Sequence, residues 1–216
     1  GNPWGKENEA SYGKFIYTRQ LGNRWQASEA PEVVYHDGYY YLFIAYDELS
    51  VAYNTRVVRS KNIDGPYYDI TGKDVTNHGG DAYPILTHPY KFGNHHGWVG
   101  ISHCAVFNDG KGNWYYASQQ RFPENYKGNA NSNALMLGGV RSIIWTSDGW
   151  PLVLPERYAG ITQKAITETE LLGDWQHINL AYHYKKQDAS VVMTLGNDHK
   201  VKSGWKAGKA WTFDAS

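Results

Sequence analysis

The chain has 216 residues, enough for one large or two small domains with a substantial core. Its 21 lysines and arginines equal its 21 aspartates and glutamates, so nothing in the charge points to a nucleic-acid groove or an anionic membrane. No apolar run approaches the roughly 18 residues of a membrane-spanning helix, and a single cysteine, Cys104, leaves no internal disulfide framework.

The composition instead leans on 18 tyrosines and 9 tryptophans against 2 methionines. Such residues favour half-buried pleated surfaces, so the chain reads as β-rich. They also offer flat faces on which sugar rings stack while their hydroxyl groups stay hydrated.

Residues 1–13 form a polar opening with no strand pattern. Strands are predicted near 32–36 and 39–47, joined by an Asp37-Gly38 turn, and near 55–60, before the turn Ile63-Asp64-Gly65-Pro66. A long Gly-, His- and Pro-rich loop is expected at 71–100, and loops of that length are usually functional or partner-covered. A second hairpin runs from His103 to about Gln120 around Asp109-Gly110, and a polar stretch follows at 125–133. Strands resume at 139–146, with another turn at Asp148-Gly149. The threefold echo of apolar run, Asp-Gly turn and aromatic run suggests propeller blades or sandwich sheets, not a βαβ fold. Thr167-Glu168-Thr169-Glu170 offers a capping box for one or two helical turns. From about 155 the chain reads as a small separate β domain, with strands near 176–184, 190–195 and 209–213.

Two local readings are unfavourable. Cys104 follows His103 on a predicted strand, where adjacent side chains point to opposite faces, so a Cys-His nucleophile pair is not expected and Cys104 reads as a small buried residue. His95 and His96 have no further ligands at zinc-like spacing.

Residues 28–43 place Glu29 directly before Ala30-Pro31, ahead of the first hairpin. This segment closely resembles the one that carries the general acid in family 43 glycoside hydrolases. Residues 53–61, 96–107 and 140–159 resemble arabinanase segments of that family, the last resembling the propeller exit of members with an appended C-terminal β-barrel. The resemblance implies an all-β fold: the last blades of a five-bladed β-propeller over residues 1–154, followed by a small β-barrel-like domain over 155–216. It implies hydrolysis of α-1,5-linked L-arabinofuranosyl bonds in arabinan with inversion, outside the cytoplasm, in an extracellular or periplasmic setting. Glu29 would be the acid, Arg121 a substrate contact, and His103 a support for calcium or another hydrated cation near the propeller axis. The alternatives are a β-xylosidase or arabinofuranosidase of the same family, and a non-catalytic carbohydrate-binding remnant.

The family also uses two aspartates N-terminal to the glutamate, and none of the 28 residues before Glu29 is aspartate. The expectation is therefore a chain active only with a missing N-terminal part, carried by a second polypeptide or deleted.

Overall fold

The computed structural model describes residues 13–19, 27–49, 51–76, 80–124, 126, 135–161 and 164–215. The polar stretches expected at the start and at 125–133 lie almost wholly outside the described residues. The first sheet is antiparallel in the order β1 (Ser28–His36), β2 (Tyr39–Tyr46), β3 (Asn54–Ser60), β4 (Ile85–Thr87). After β5 (Tyr90–Lys91), a second antiparallel sheet follows in the order β6 (Val99–Asn108), β7 (Trp114–Arg121), β8 (Met136–Trp145), β9 (Pro151–Val153). Each is a chain-ordered four-stranded unit of the kind that forms a propeller blade.

The unbroken run Tyr39–Tyr46 is apolar because both faces of β2 are covered. Tyr41 and Phe43 point into a core shared with Ile101, Tyr116, Ile143 and Trp150 of the second sheet. Leu42, Ile44 and Tyr46 point the other way, onto Tyr67, Val75, Ala82 and the incoming segment at Ile16 and Tyr17. Between the sheets lies a buried hydroxyl chain. Thr55 Oγ1 sits 2.7 Å from both Ser102 Oγ and Tyr116 Oη, so these polar groups satisfy one another. By contrast, Phe107, Ile144 and Leu152, on the far face of the second sheet, are 44–49% exposed.

Three expectations need correction. The loop foreseen at 71–100 contains β4 and β5 and ends in the first residues of β6. β4 has only three residues, lies between Pro84 and Pro89 and joins β3 through a register shift, which leaves too short a run for a period-two pattern. The strand expected at 176–184 pairs only to His177, and 209–213 contributes no strand beyond a single bridge at Ala210.

The C-terminal part holds a 3₁₀ turn at Glu168–Leu171 and a three-stranded sheet of β10 (Gly173–His177), β12 (Val191–Leu195) and β13 (Val201–Ser203). The capping box at that turn is formed: the Thr167 N–H donates to the Glu170 carboxylate at 2.7 Å. No α-helix occurs among the described residues.

β11 (Asp188–Ala189) leaves this sheet and pairs in parallel with β5. Around it, Tyr182 donates to Asp47 at 2.6 Å, Tyr184 donates to Glu48 at 2.9 Å, and Lys185 pairs with Glu48 at 2.9 Å. The Gln187 amide donates to the carbonyls of Tyr90 and His96, each at 3.0 Å. Gly97 makes room for this clasp: its φ is +66°, and a Cβ there would lie 2.0 Å from the Tyr90 carbonyl oxygen.

His88 is fully buried under the clasp, its Nδ1 3.3 Å from Asp188 Oδ2. Asp188 also accepts from His183 at 2.8 Å. Burial holds the His88 imidazole below its usual range, with Arg56 adding to the effect and Asp188 opposing it. A depressed histidine stabilises the fold above its unfolded pKa of about 6.5, and that stability is lost as pH falls toward the folded value. The thermal midpoint is therefore expected to drop between pH 7 and pH 5, with a shallower drop in His88→Gln. Equal slopes for the two proteins would remove His88 as the cause.

Candidate active site

The expected acid stands at an irregularity in β1. Glu29 pairs with Ala45, but Glu32 pairs with Phe43, so β1 carries one extra residue between them. Ala30 sits there at φ +50°, a conformation that residues with a Cβ rarely adopt, and Pro31 has no N–H to give the ladder. Such bulges turn a side chain out of the regular alternation. Glu29 is thereby half exposed, on the lining of a cleft of about 870 Å³. Lys14, Phe15, Tyr17 and Pro31 share that lining, and among the described residues Glu29 is its only carboxylate.

β6 repeats the device. Ser102 pairs with Gln119 and Ala105 with Ala117, which leaves one extra residue, and His103 lies there at φ +57°. Its ring is exposed while Ser102 and Cys104 on either side are buried. Burial pushes the Cys104 thiol up to about 12, which makes it a poor nucleophile.

A residue whose role sequence reading missed joins the two strands. Tyr53, fully buried just ahead of β3, donates its hydroxyl to Glu29 Oε1 at 2.5 Å and lies 3.3 Å from His103 Nδ1. His103 Nδ1 is itself 3.8 Å from Glu29 Oε1. Burial, and then the bond to Glu29, raises the Tyr53 phenol far above its ordinary value. The hydroxyl therefore stays protonated and able to donate. The three side chains form one constellation: a carboxyl, a phenol that fixes one of its oxygens, and an imidazole alongside.

Arg121 is placed differently. It is buried, its guanidinium donates to the carbonyl of Leu49 and lies 3.4 Å from Gln119 Oε1, and its stem packs against Gly100. It lines neither the Glu29 cleft nor a neighbouring groove of about 620 Å³ that runs past His103 and Gln119.

Among the described residues, no three His, Cys, Asp or Glu side chains gather in a way that could hold a metal ion. Calcium prefers several oxygen ligands, so His103 alone does not make a site for it. His95 and His96 stack on each other, with ring centroids 4.1 Å apart.

Two bulged strands thus raise a carboxyl and an imidazole side by side on adjoining sheets. The family model for glycosyl hydrolases family 43 matches residues 2–151, and that for a C-terminal lipocalin-like domain matches residues 155–216. The chain belongs to glycosyl hydrolase family 43, and its two large sheets are blades of that family's β-propeller. It is 32% identical to extracellular endo-alpha-(1->5)-L-arabinanase 2 of Bacillus subtilis, over 85% of this chain and 41% of that protein. It is 31% identical to an extracellular endo-alpha-(1->5)-L-arabinanase of Thermotoga petrophila, over 78% of this chain and 37% of that one. A crystal structure of the endo-1,5-alpha-L-arabinanase from Thermotoga petrophila superposes with a TM-score of 0.76 at 28% identity, covering 89% of this chain and 44% of that one. The chain thus spans less than half the length of these relatives.

Proposed function

We propose that this chain supplies the general acid of a glycoside hydrolase that cuts α-1,5-linked L-arabinofuranosyl bonds in arabinan with inversion. The observation that carries the reading is Glu29, turned by the β1 bulge into a cleft and held there by Tyr53 beside His103. Glu29 gives its proton to the leaving glycosidic oxygen as the bond to the anomeric carbon breaks. A water attacks that carbon from the opposite face and yields its proton to a second carboxylate, about 6.5–9.5 Å from the first. That carboxylate is an aspartate outside these 216 residues, on the N-terminal part of the propeller or on a second polypeptide. The exposed apolar face of Phe107, Ile144 and Leu152 supports an additional packed element.

Arg121 steadies the wall behind the site through its hold on the Leu49 carbonyl. Among the described residues calcium would find only His103, through bridging water. The relatives' names support an extracellular or periplasmic setting.

The test is hydrolysis of linear debranched arabinan by the protein with everything that co-purifies, set against xylo-oligosaccharides and aryl arabinosides. Faster turnover of either of the latter would move the assignment to a xylosidase or arabinofuranosidase. Binding without turnover of any of them would leave a carbohydrate-binding remnant.

Tyr53→Phe removes a hydrogen bond that becomes charge-assisted as Glu29 gives up its proton, worth about 1.5–3 kcal/mol. A loss of roughly 10- to 100-fold in kcat is expected, with the alkaline limb of the pH profile, where a general acid loses its proton, displaced and KM little changed. An unmoved pH profile would reduce Tyr53 to packing.

A further inference from the structure

A cavity of about 300 Å³ lies where the C-terminal part meets the two blades, away from Glu29. Its walls are apolar, built by Phe92, Leu152, Leu154 and Ile178, and it opens toward solvent beside the exposed Leu152 and Gln176. Two buried polar side chains, Arg141 and His88, interrupt these walls.

Arg141 is 1% exposed. Its guanidinium bonds only neutral acceptors: Nη2 donates to Gln120 Oε1 at 2.9 Å, and Nε reaches the Pro155 carbonyl at 3.4 Å. Among the described residues Arg141 has no carboxylate partner, and Nη1 is buried with no hydrogen-bond partner at all. A buried cation without a counter-charge is costly, and an unmade guanidinium bond adds to the cost.

His88 is fully buried and its Nε2 likewise has no partner among the described residues. Its Nδ1 faces Asp188 Oδ2 and the Pro89 carbonyl, both acceptors. The nearby Asp188 carboxylate repels a second negative charge in the cavity.

We propose that this cavity binds a small monocarboxylic acid with an apolar body, its carboxylate drawn to the Arg141 guanidinium and its chain along the Leu152–Ile178 walls. Guanidinium donors suit carboxylate oxygens, and a concave apolar site with few polar groups is the usual form of a small-ligand pocket. The proposal does not depend on the arabinan reading.

The test uses the protein as isolated, with hexanoate as probe, by saturation-transfer NMR and calorimetric titration at neutral pH. Saturable binding is expected, with hexan-1-ol and adipate each weaker by about tenfold or more. Arg141→Gln should erase the preference for the acid over the alcohol. Because that variant removes a buried side chain, Ile178→Trp serves as a second. It fills the cavity, leaves Arg141 in place and should abolish hexanoate binding. The idea fails if hexanoate does not saturate, if hexan-1-ol or adipate binds equally well, or if a hexanoate-soaked crystal holds only water against Arg141.

Discussion

Glu29→Gln is expected to lower hydrolysis of debranched arabinan by about 10²–10⁴-fold, the range that a positioned general acid supplies. The amide keeps the shape of the side chain and can still accept from Tyr53, but it has no acidic proton for the leaving oxygen. Binding of arabino-oligosaccharides, followed by calorimetry, should survive. An aryl arabinoside with a good leaving group needs less protonation, so it should recover part of the lost rate, and this pattern separates an acid from a residue that merely shapes the cleft. Full turnover of the polymer by the variant would refute the assignment.

Asp47→Ala should produce the largest loss of stability, about 3–5 kcal/mol, the scale for removing one partner of a buried ion pair. Asp47 is 5% exposed and lies 2.8 Å from Arg19, whose side chain is wholly buried. Its other carboxylate oxygen accepts from Asn54 at 3.1 Å and from Tyr182 at 2.6 Å. The substitution would leave Arg19, among the described residues, with Asp81 as its one carboxylate partner, at 3.0 Å and nearer solvent. Asp47 also sits at φ +71°, a region that Asp and Asn tolerate better than alanine, so Asp47→Asn isolates the charge from the backbone. Urea midpoints would check both. A cost below about 1 kcal/mol for the alanine variant would show that Arg19 finds another partner, and Asp47 would lose its role as a tie.

Glu29 was legible because its signal is local: a carboxylate before Ala-Pro, then two alternating runs around an Asp-Gly turn. Tyr53 was not. It lies 24 residues from Glu29, and its role exists only once β3 has paired with β2 and β2 with β1. His103 was legible as a candidate, but its emergence from the strand depends on a bulge with no glycine or proline to mark it. The error over 176–184 has a clear cause. Ile178, Leu180, Tyr182 and Tyr184 alternate with a period of two, which reads as a half-buried strand. In the fold, Ile178 and Leu180 line a cavity while Tyr182 and Tyr184 reach Asp47 and Glu48. The same spacing serves an extended segment laid across a foreign surface, and the sequence alone does not separate the two.

The clasp at Tyr182–Ala189 also changes what the covalent link between the two parts is for. Parallel strand pairing, three side chains on Asp47 and Glu48, and one glutamine spanning two carbonyls already join them. The peptide between Pro155 and Thr167 is thus a redundant tether. A protease that severed it would produce two fragments on a denaturing gel and one unit in solution, and insertions there would lengthen the chain without loosening the joint.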